Sequence, residues 1–215
     1  MREHHLHVPR TARYYTLGPE HDDVRQVWFV CHGYGQLANE FLEQFRPLDD
    51  GTRLFVAPEG PSRYYTNHAR GMVGASWMTR EDRLTEIADY VNYLDALHDH
   101  VFSSLTRSSV TLYVFGFSQG AATAARWVSL GRAIANRLVL WGELPPPDLD
   151  LEVGWSKLED SRITIVVGRE DRYVDASQLA VAEERLLDHE IPYETISYDG
   201  GHHLDDSVLR SLATG

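Results

Sequence analysis

The sequence predicts an α/β fold, a mostly parallel, doubly wound sheet with helices on both faces. Three observations predict it. Short apolar runs rich in Val, Ile, Tyr and Trp recur along the chain, amphipathic segments of helical length lie between them, and a Gly or Pro closely follows each run. The runs are residues 27–31 (VWFVC), 54–57 (LFVA), 110–115 (VTLYVF), 138–141 (LVLW) and 163–167 (ITIVV), with a weaker sixth at 195–198 (TISY). They are apolar throughout rather than alternating, which suits strands buried on both faces. Residues 83–105 carry Leu84, Ile87, Ala88, Val91, Leu94, Leu97 and Val101 at helical spacing. Residues 121–130, 176–189 and 205–212 also read as helices. Ahead of the first run, residues 5–8 and 14–17 are expected to form an antiparallel hairpin. Sheets of this kind bind ligands beyond the carboxyl ends of their strands, so chemistry is sought there.

Length and composition bound the reading. The 215 residues contain no repeat, low-complexity tract or linker, which predicts a single domain over 1–215. A formal net charge of −12 argues against nucleic acid or an anionic membrane surface as partner. The lone cysteine, Cys31, fits a reducing compartment. The first 25 residues hold no apolar signal region, and no run of 18 apolar residues exists. A cytoplasmic protein without stable membrane insertion is therefore expected, and self-association as a homodimer stays open. His4, His5 and His7 have no partner cluster and read as a solvated strand edge, not a metal site.

The chemistry follows the runs. Gly116-Phe117-Ser118-Gln119-Gly120 lies between a strand-like run and the helical AATAARWVSL. A G-x-S-x-G turn in that context presents a serine on a tight strand-to-helix bend, with glycines where side chains would collide. Ser118 is therefore read as a nucleophile, and the context points to the α/β-hydrolase fold. Serine needs a base, and the base needs an orienting acid. The fold supplies the acid and then the histidine later in the chain. Residues 168–175 (GREDRYVD) follow one run and 199–204 (DGGHHL) the next. Among Glu170, Asp171, Asp175 and Asp199, Asp171 is favoured because it sits just past the strand end, while Asp175 is placed to cap the following helix. The loop Cys31-His32-Gly33-Tyr34-Gly35-Gln36 follows the first buried run, where one of two oxyanion N–H donors is required; the other comes from the residue after the nucleophile, Gln119.

These residues resemble the carboxylesterase/phospholipase family of small α/β-hydrolases, which includes acyl-protein thioesterases and lysophospholipase-like carboxylesterases. The resemblance rests on His32-Gly33-Tyr34-Gly35, Ala57-Pro58-Glu59-Gly60-Pro61, Gly74-Ala75-Ser76-Trp77, the Ser118 pentapeptide, residues 168–171 with Val174, and Gly201-His202. It implies Ser118, Asp171 and His202 as a triad, Tyr34 and Gln119 as oxyanion donors, and Trp77 beside the acyl site. Ala121 and Asp175 depart from the family's usual Gly and Pro. Trp141 and Leu144 lie after a predicted strand, where a pocket wall belongs, and with Trp77 and Leu204 they are assigned to the substrate pocket. The loops at 64–78 and 142–155 are expected to form it. The predicted activity is hydrolysis of a small-molecule ester or thioester, without metal or cofactor. An amidase, peptidase or acyltransferase on the same triad, and a non-catalytic binding protein on a hydrolase scaffold, remain alternatives.

Overall fold

A computed structural model describes residues 1–20, 23–149, 151, 157–158 and 160–214. Six parallel strands form the centre of one sheet: β2 (Gln26–Cys31), β3 (Arg53–Pro58), β6 (Thr111–Phe117), β7 (Arg137–Trp141), β8 (Arg162–Gly168) and β9 (Tyr193–Tyr198). β1 (Tyr14–Leu17) pairs antiparallel with β3 at one edge, giving the order β1-β3-β2-β6-β7-β8-β9. The expected hairpin at 5–8 and 14–17 does not form. Only Tyr14–Leu17 is a strand, and it pairs with β3 instead of residues 5–8, which are exposed.

Alternation along the strands divides the core into two layers. Val27, Phe29, Cys31, Leu112, Val114, Leu138 and Leu140 face one side, with Ile163, Ile165 and Val167. Trp28, Val30, Tyr113, Phe115, Phe117, Val139 and Trp141 face the other. The period of two in a strand puts neighbours on opposite faces, and both faces are apolar because both are covered. α2 (Arg83–Val101), α3 (Gln119–Leu130) and α4 (Ala176–Asp188) cover the first layer through residues such as Tyr90, Leu94, Trp127 and Leu186. α1 (Ala38–Leu42) and α5 (Asp206–Thr214) cover the second with Phe41, Leu42, Leu209 and Leu212. This is the α/β-hydrolase architecture.

The stretch expected to be a pocket loop at 64–78 is mostly a second sheet. β4 (Ser62–Asn67) and β5 (Met72–Ser76) form an antiparallel hairpin outside the main sheet. Part of the 142–155 loop lies outside the described residues. Among the described residues, no helix is long and apolar enough to cross a membrane.

Candidate active site

Ser118 alone makes the turn from β6 to α3, with φ 53° and ψ −124°. That backbone region is rarely occupied by residues other than glycine. The turn is pinned because the Ser118 N–H donates to Trp141 O at 2.8 Å. Its flanking glycines have a steric reason. A Cβ on Gly116 would lie 2.2 Å from the Gly120 carbonyl oxygen, and one on Gly120 would lie 2.1 Å from that of Cys31. The first turn of α3 is thus pressed onto the carboxyl ends of β6 and β2.

Asp171 follows β8, and its N–H donates to Gly168 O at 3.0 Å. Its carboxylate is fully enclosed: Oδ1 accepts the Tyr173 N–H at 2.8 Å and Oδ2 lies 2.8 Å from His202 Nδ1. A carboxylate only accepts, so a hydrogen sits on Nδ1, and in the neutral imidazole the lone pair is then on Nε2. The His202 ring packs against Phe117 at 4.8 Å and Tyr173 at 4.6 Å between centroids. Beneath it is Gly142, at φ 65°, where a Cβ would come within 2.9 Å of His202 Cε1. The imidazole therefore rests on the neighbour of Ser118 and on the residue after its backbone partner, Trp141.

The other carboxylates have different employment. Glu170 and Asp199 are exposed, and Asp199 pairs with Arg169. Asp175 caps α4: its Oδ1 accepts the N–H groups of Ser177 and Gln178 at 2.8 and 2.9 Å, and Gln178 Oε1 accepts the Asp175 N–H in return. The His203 ring is exposed beside Tyr198, while its carbonyl accepts the Trp141 indole N–H at 3.0 Å.

The loop after β2 approaches from the opposite side. Gly33 N–H donates to Gln36 Oε1 at 2.7 Å and Gln36 N–H to Gly33 O at 3.2 Å, closing a tight turn around Tyr34. Gly35 N–H donates to Ala75 O at 2.8 Å and Ala75 N–H to Gln36 O at 3.1 Å, which fastens the turn to β5. The Tyr34 ring is 60% exposed and lies 5.3 Å from that of Tyr64, so the side chain reaches outward while its amide stays in the turn. Gln119 opens α3, where the first amides have no intrahelical acceptor. Its side chain grips the segment after β5: Oε1 accepts the Trp77 N–H at 3.1 Å and Nε2 donates to Met78 O at 2.7 Å. Nothing in the sequence pattern announced that second role.

A phospholipase/carboxylesterase family model matches residues 16–214. The chain belongs to the phospholipase/carboxylesterase family. Family membership makes it a hydrolase, with the fold already described. Solved structures agree on that fold. Acyl-protein thioesterase 2 of Zea mays superposes with a TM-score of 0.71 at 16% identity, over 95% of this chain and 99% of its own. A Bacillus cereus carboxylesterase gives 0.70 at 15% identity, over 94% and 92%. Arabidopsis thaliana SOBER1 gives 0.67 at 19% identity, over 89% and 97%. No curated protein matches the chain.

Within this family member, the four side chains expected to line the substrate pocket separate into two kinds. Trp77 and Trp141 are wholly enclosed, in the first and second core layers respectively. Their indole N–H groups are already engaged, Trp77 with His32 O at 2.8 Å and Trp141 with His203 O. In this conformation neither indole offers a face to a ligand. Leu144 and Leu204 are half-buried and pack against opposite core layers. A cavity of about 440 Å³ lies elsewhere, between the N-terminal arm, the turn at 59–63 and α2, and includes His7, Arg13, Arg63, Asp89 and Tyr93. It touches none of Ser118, Asp171 and His202.

Sequence reasoning passed over two buried groups that brace the site. Glu59 opens the turn after β3, with Oε1 accepting from Arg13 Nε at 3.0 Å and Arg63 Nη1 at 3.1 Å, and Oε2 from Ala38 N–H at 3.4 Å. Burial pushes its carboxyl up, but the hydrogen bonds from Arg13 and Arg63 outweigh that and hold it below the usual carboxylate range. His32 is also fully buried, and burial pushes its imidazole below the usual histidine range. A motif search finds both residues, but their partners are revealed only by the folded chain.

Proposed function

We propose that the protein is a serine hydrolase that cleaves carboxylic esters or thioesters of small to medium acyl groups through an acyl-enzyme. The observation that carries this reading is His202, bound through Nδ1 to the enclosed Asp171 carboxylate and packed against Phe117, the residue before a serine in strained backbone geometry. In this mechanism His202 Nε2 takes the Ser118 proton as Oγ attacks the carbonyl carbon. The amides of Tyr34 and Gln119 receive the charge developing on the carbonyl oxygen. His202 then returns the proton to the departing alcohol or thiol. Water, deprotonated by the same nitrogen, attacks the acyl-enzyme and releases the acid. Asp171 keeps the hydrogen on Nδ1 and stabilises the imidazolium.

Only about 20 residues separate Trp141 from Arg162, too few for a large cap domain, and this supports substrates that are small or have an exposed acyl chain. The similarity to a carboxylesterase and a thioesterase supports the bond type. A fluorophosphonate probe is expected to label Ser118 alone, and Ser118→Ala to lose ~10⁴-fold or more in kcat with the melting curve preserved. Labelling of Ser118→Ala, located by mass spectrometry, overturns the assignment. Hydrolysis of an aryl ester series of increasing acyl length, set against the matching anilides, separates esterase from amidase.

A further inference from the structure

We infer that His32 is a positioning residue for the oxyanion site, holding the Gly33–Tyr34 peptide so that the Tyr34 N–H faces the reacting carbonyl. This rests on the hydrolase reading given above. His32 Nδ1 lies 2.8 Å from the Gly33 carbonyl oxygen, and the Gly60 N–H donates to His32 Nε2 at 2.9 Å. These partners fix the tautomer. A carbonyl oxygen only accepts and a backbone N–H only donates, so Nδ1 carries the hydrogen and Nε2 is bare. The imidazole is neutral, and burial favours that state by pushing it away from protonation, against the weaker pull of the Gly33 carbonyl and the Glu59 charge.

The Gly33 carbonyl and the Tyr34 N–H belong to one peptide unit. The described chain contains no cis peptide bond, so the two groups point in opposite directions. Whatever grips the oxygen aims the hydrogen. Two donors grip it, His32 Nδ1–H and the Gln36 N–H. Glycine at 33 allows this peptide to swing about its flanking bonds more freely than another residue would. A swing would turn the carbonyl toward the substrate and remove one N–H donor. The exposed Tyr34 ring does little to oppose that, whereas His32 is itself immobilised. Its ring lies 5.2 Å from that of Trp77, whose indole N–H donates to the His32 carbonyl at 2.8 Å. Trp77, implied by family resemblance to sit beside the acyl group, is enclosed and holds the His32 carbonyl.

Two substitutions separate this role from plain stability. His32→Asn places an amide NH₂ near the Nδ1 position and loses the acceptor for Gly60; His32→Ala loses both bonds. Both are expected to lower the melting temperature, His32→Ala by more because it loses two bonds. Only His32→Ala is expected to lower kcat on an aryl ester, by ~10²-fold, the loss typical of one oxyanion donor, with KM nearly unchanged. Its affinity for a trifluoromethyl ketone analogue of the substrate should fall by a comparable factor. Equal kcat losses in both variants, or wild-type kcat in His32→Ala, overturn the inference. Should His32→Ala not fold, ¹⁵N NMR of the wild-type imidazole decides, since a hydrogen on Nε2 is incompatible with the proposed hold. Ser118→Ala is the control. If it is inactive while His32→Ala is fully active, the positioning role alone fails; if it retains activity, the hydrolase reading fails and takes this inference with it.

Discussion

In the proposed reaction the groups on one side of Ser118 are side chains; on the other they are peptide N–H groups. Asp171 and His202 stand on the loops after β8 and β9, joined by one 2.8 Å hydrogen bond, and the roles proposed for them depend on residue identity. The amides of Tyr34 and Gln119 are available to almost any residue, so there the defining quantity is direction. Direction is imposed from outside: by Gln36 on the Gly33 turn, by β5 on Gly35 and Gln36, and by Gly120 packed on Cys31. The first half can be broken by changing an atom. The second is broken by loosening a brace.

The contrast sets an order of expected effects. Asp171→Asn should cost up to ~10⁴-fold in kcat at an almost unchanged melting temperature, because the amide favours the wrong imidazole tautomer. Near-wild-type turnover in this variant, together with a large loss in a Gln or Asn variant of Glu170, Asp175 or Asp199, would move the acid elsewhere. Gln119→Ala keeps its backbone amide but releases the Trp77 and Met78 contacts. It should lower kcat by about 10-fold, a fraction of the penalty for misplacing a reacting group by about 1 Å. A loss as large as that of Asp171→Asn would show that the side chain itself takes part. Strain at Ser118 gives a smaller effect. Ser118→Gly should melt above Ser118→Ala by the equivalent of about 1 kcal/mol, since glycine tolerates φ 53° without a Cβ penalty; identical curves would mean the turn is relaxed. Least of all, Asp175→Ala should lose its helix cap and a few degrees of melting temperature while kcat stays within about twofold.

The sheet was legible in the sequence because its strands are enclosed on both faces. Runs such as VWFVC and ITIVV have few other uses, and each observed strand begins or ends within two residues of its run. The β4–β5 hairpin was not legible. Ser62–Asn67 is mostly exposed, so no layer of core demanded an apolar pattern from it. Residues 5–8 misled for the converse reason, since Leu6 and Val8 alternate like a strand but stay exposed and do not join the open side of β1. The tight turn at Ser118 and the contact between Asp171 and His202 were readable because the motifs that carry them constrain residue type. The supporting roles of His32, Glu59 and the Gln119 side chain were not, because His32 and Gln119 bond backbone groups far along the chain and Glu59 bonds arginines on two other segments.

The contact between Gly120 and the end of β2 has a mechanical consequence. Ser118 and Gln119 ride on the first turn of α3, and that turn sits directly on the carbonyls of Cys31 and His32, the residues that lead into the Tyr34 turn. Backbone meets backbone there, with no side chain between them to yield, so the first turn of α3 has little room to slide over the strand end. A shift of the helix axis caused by substitutions around Leu130 is therefore expected to pivot about this turn and to leave Ser118 seated.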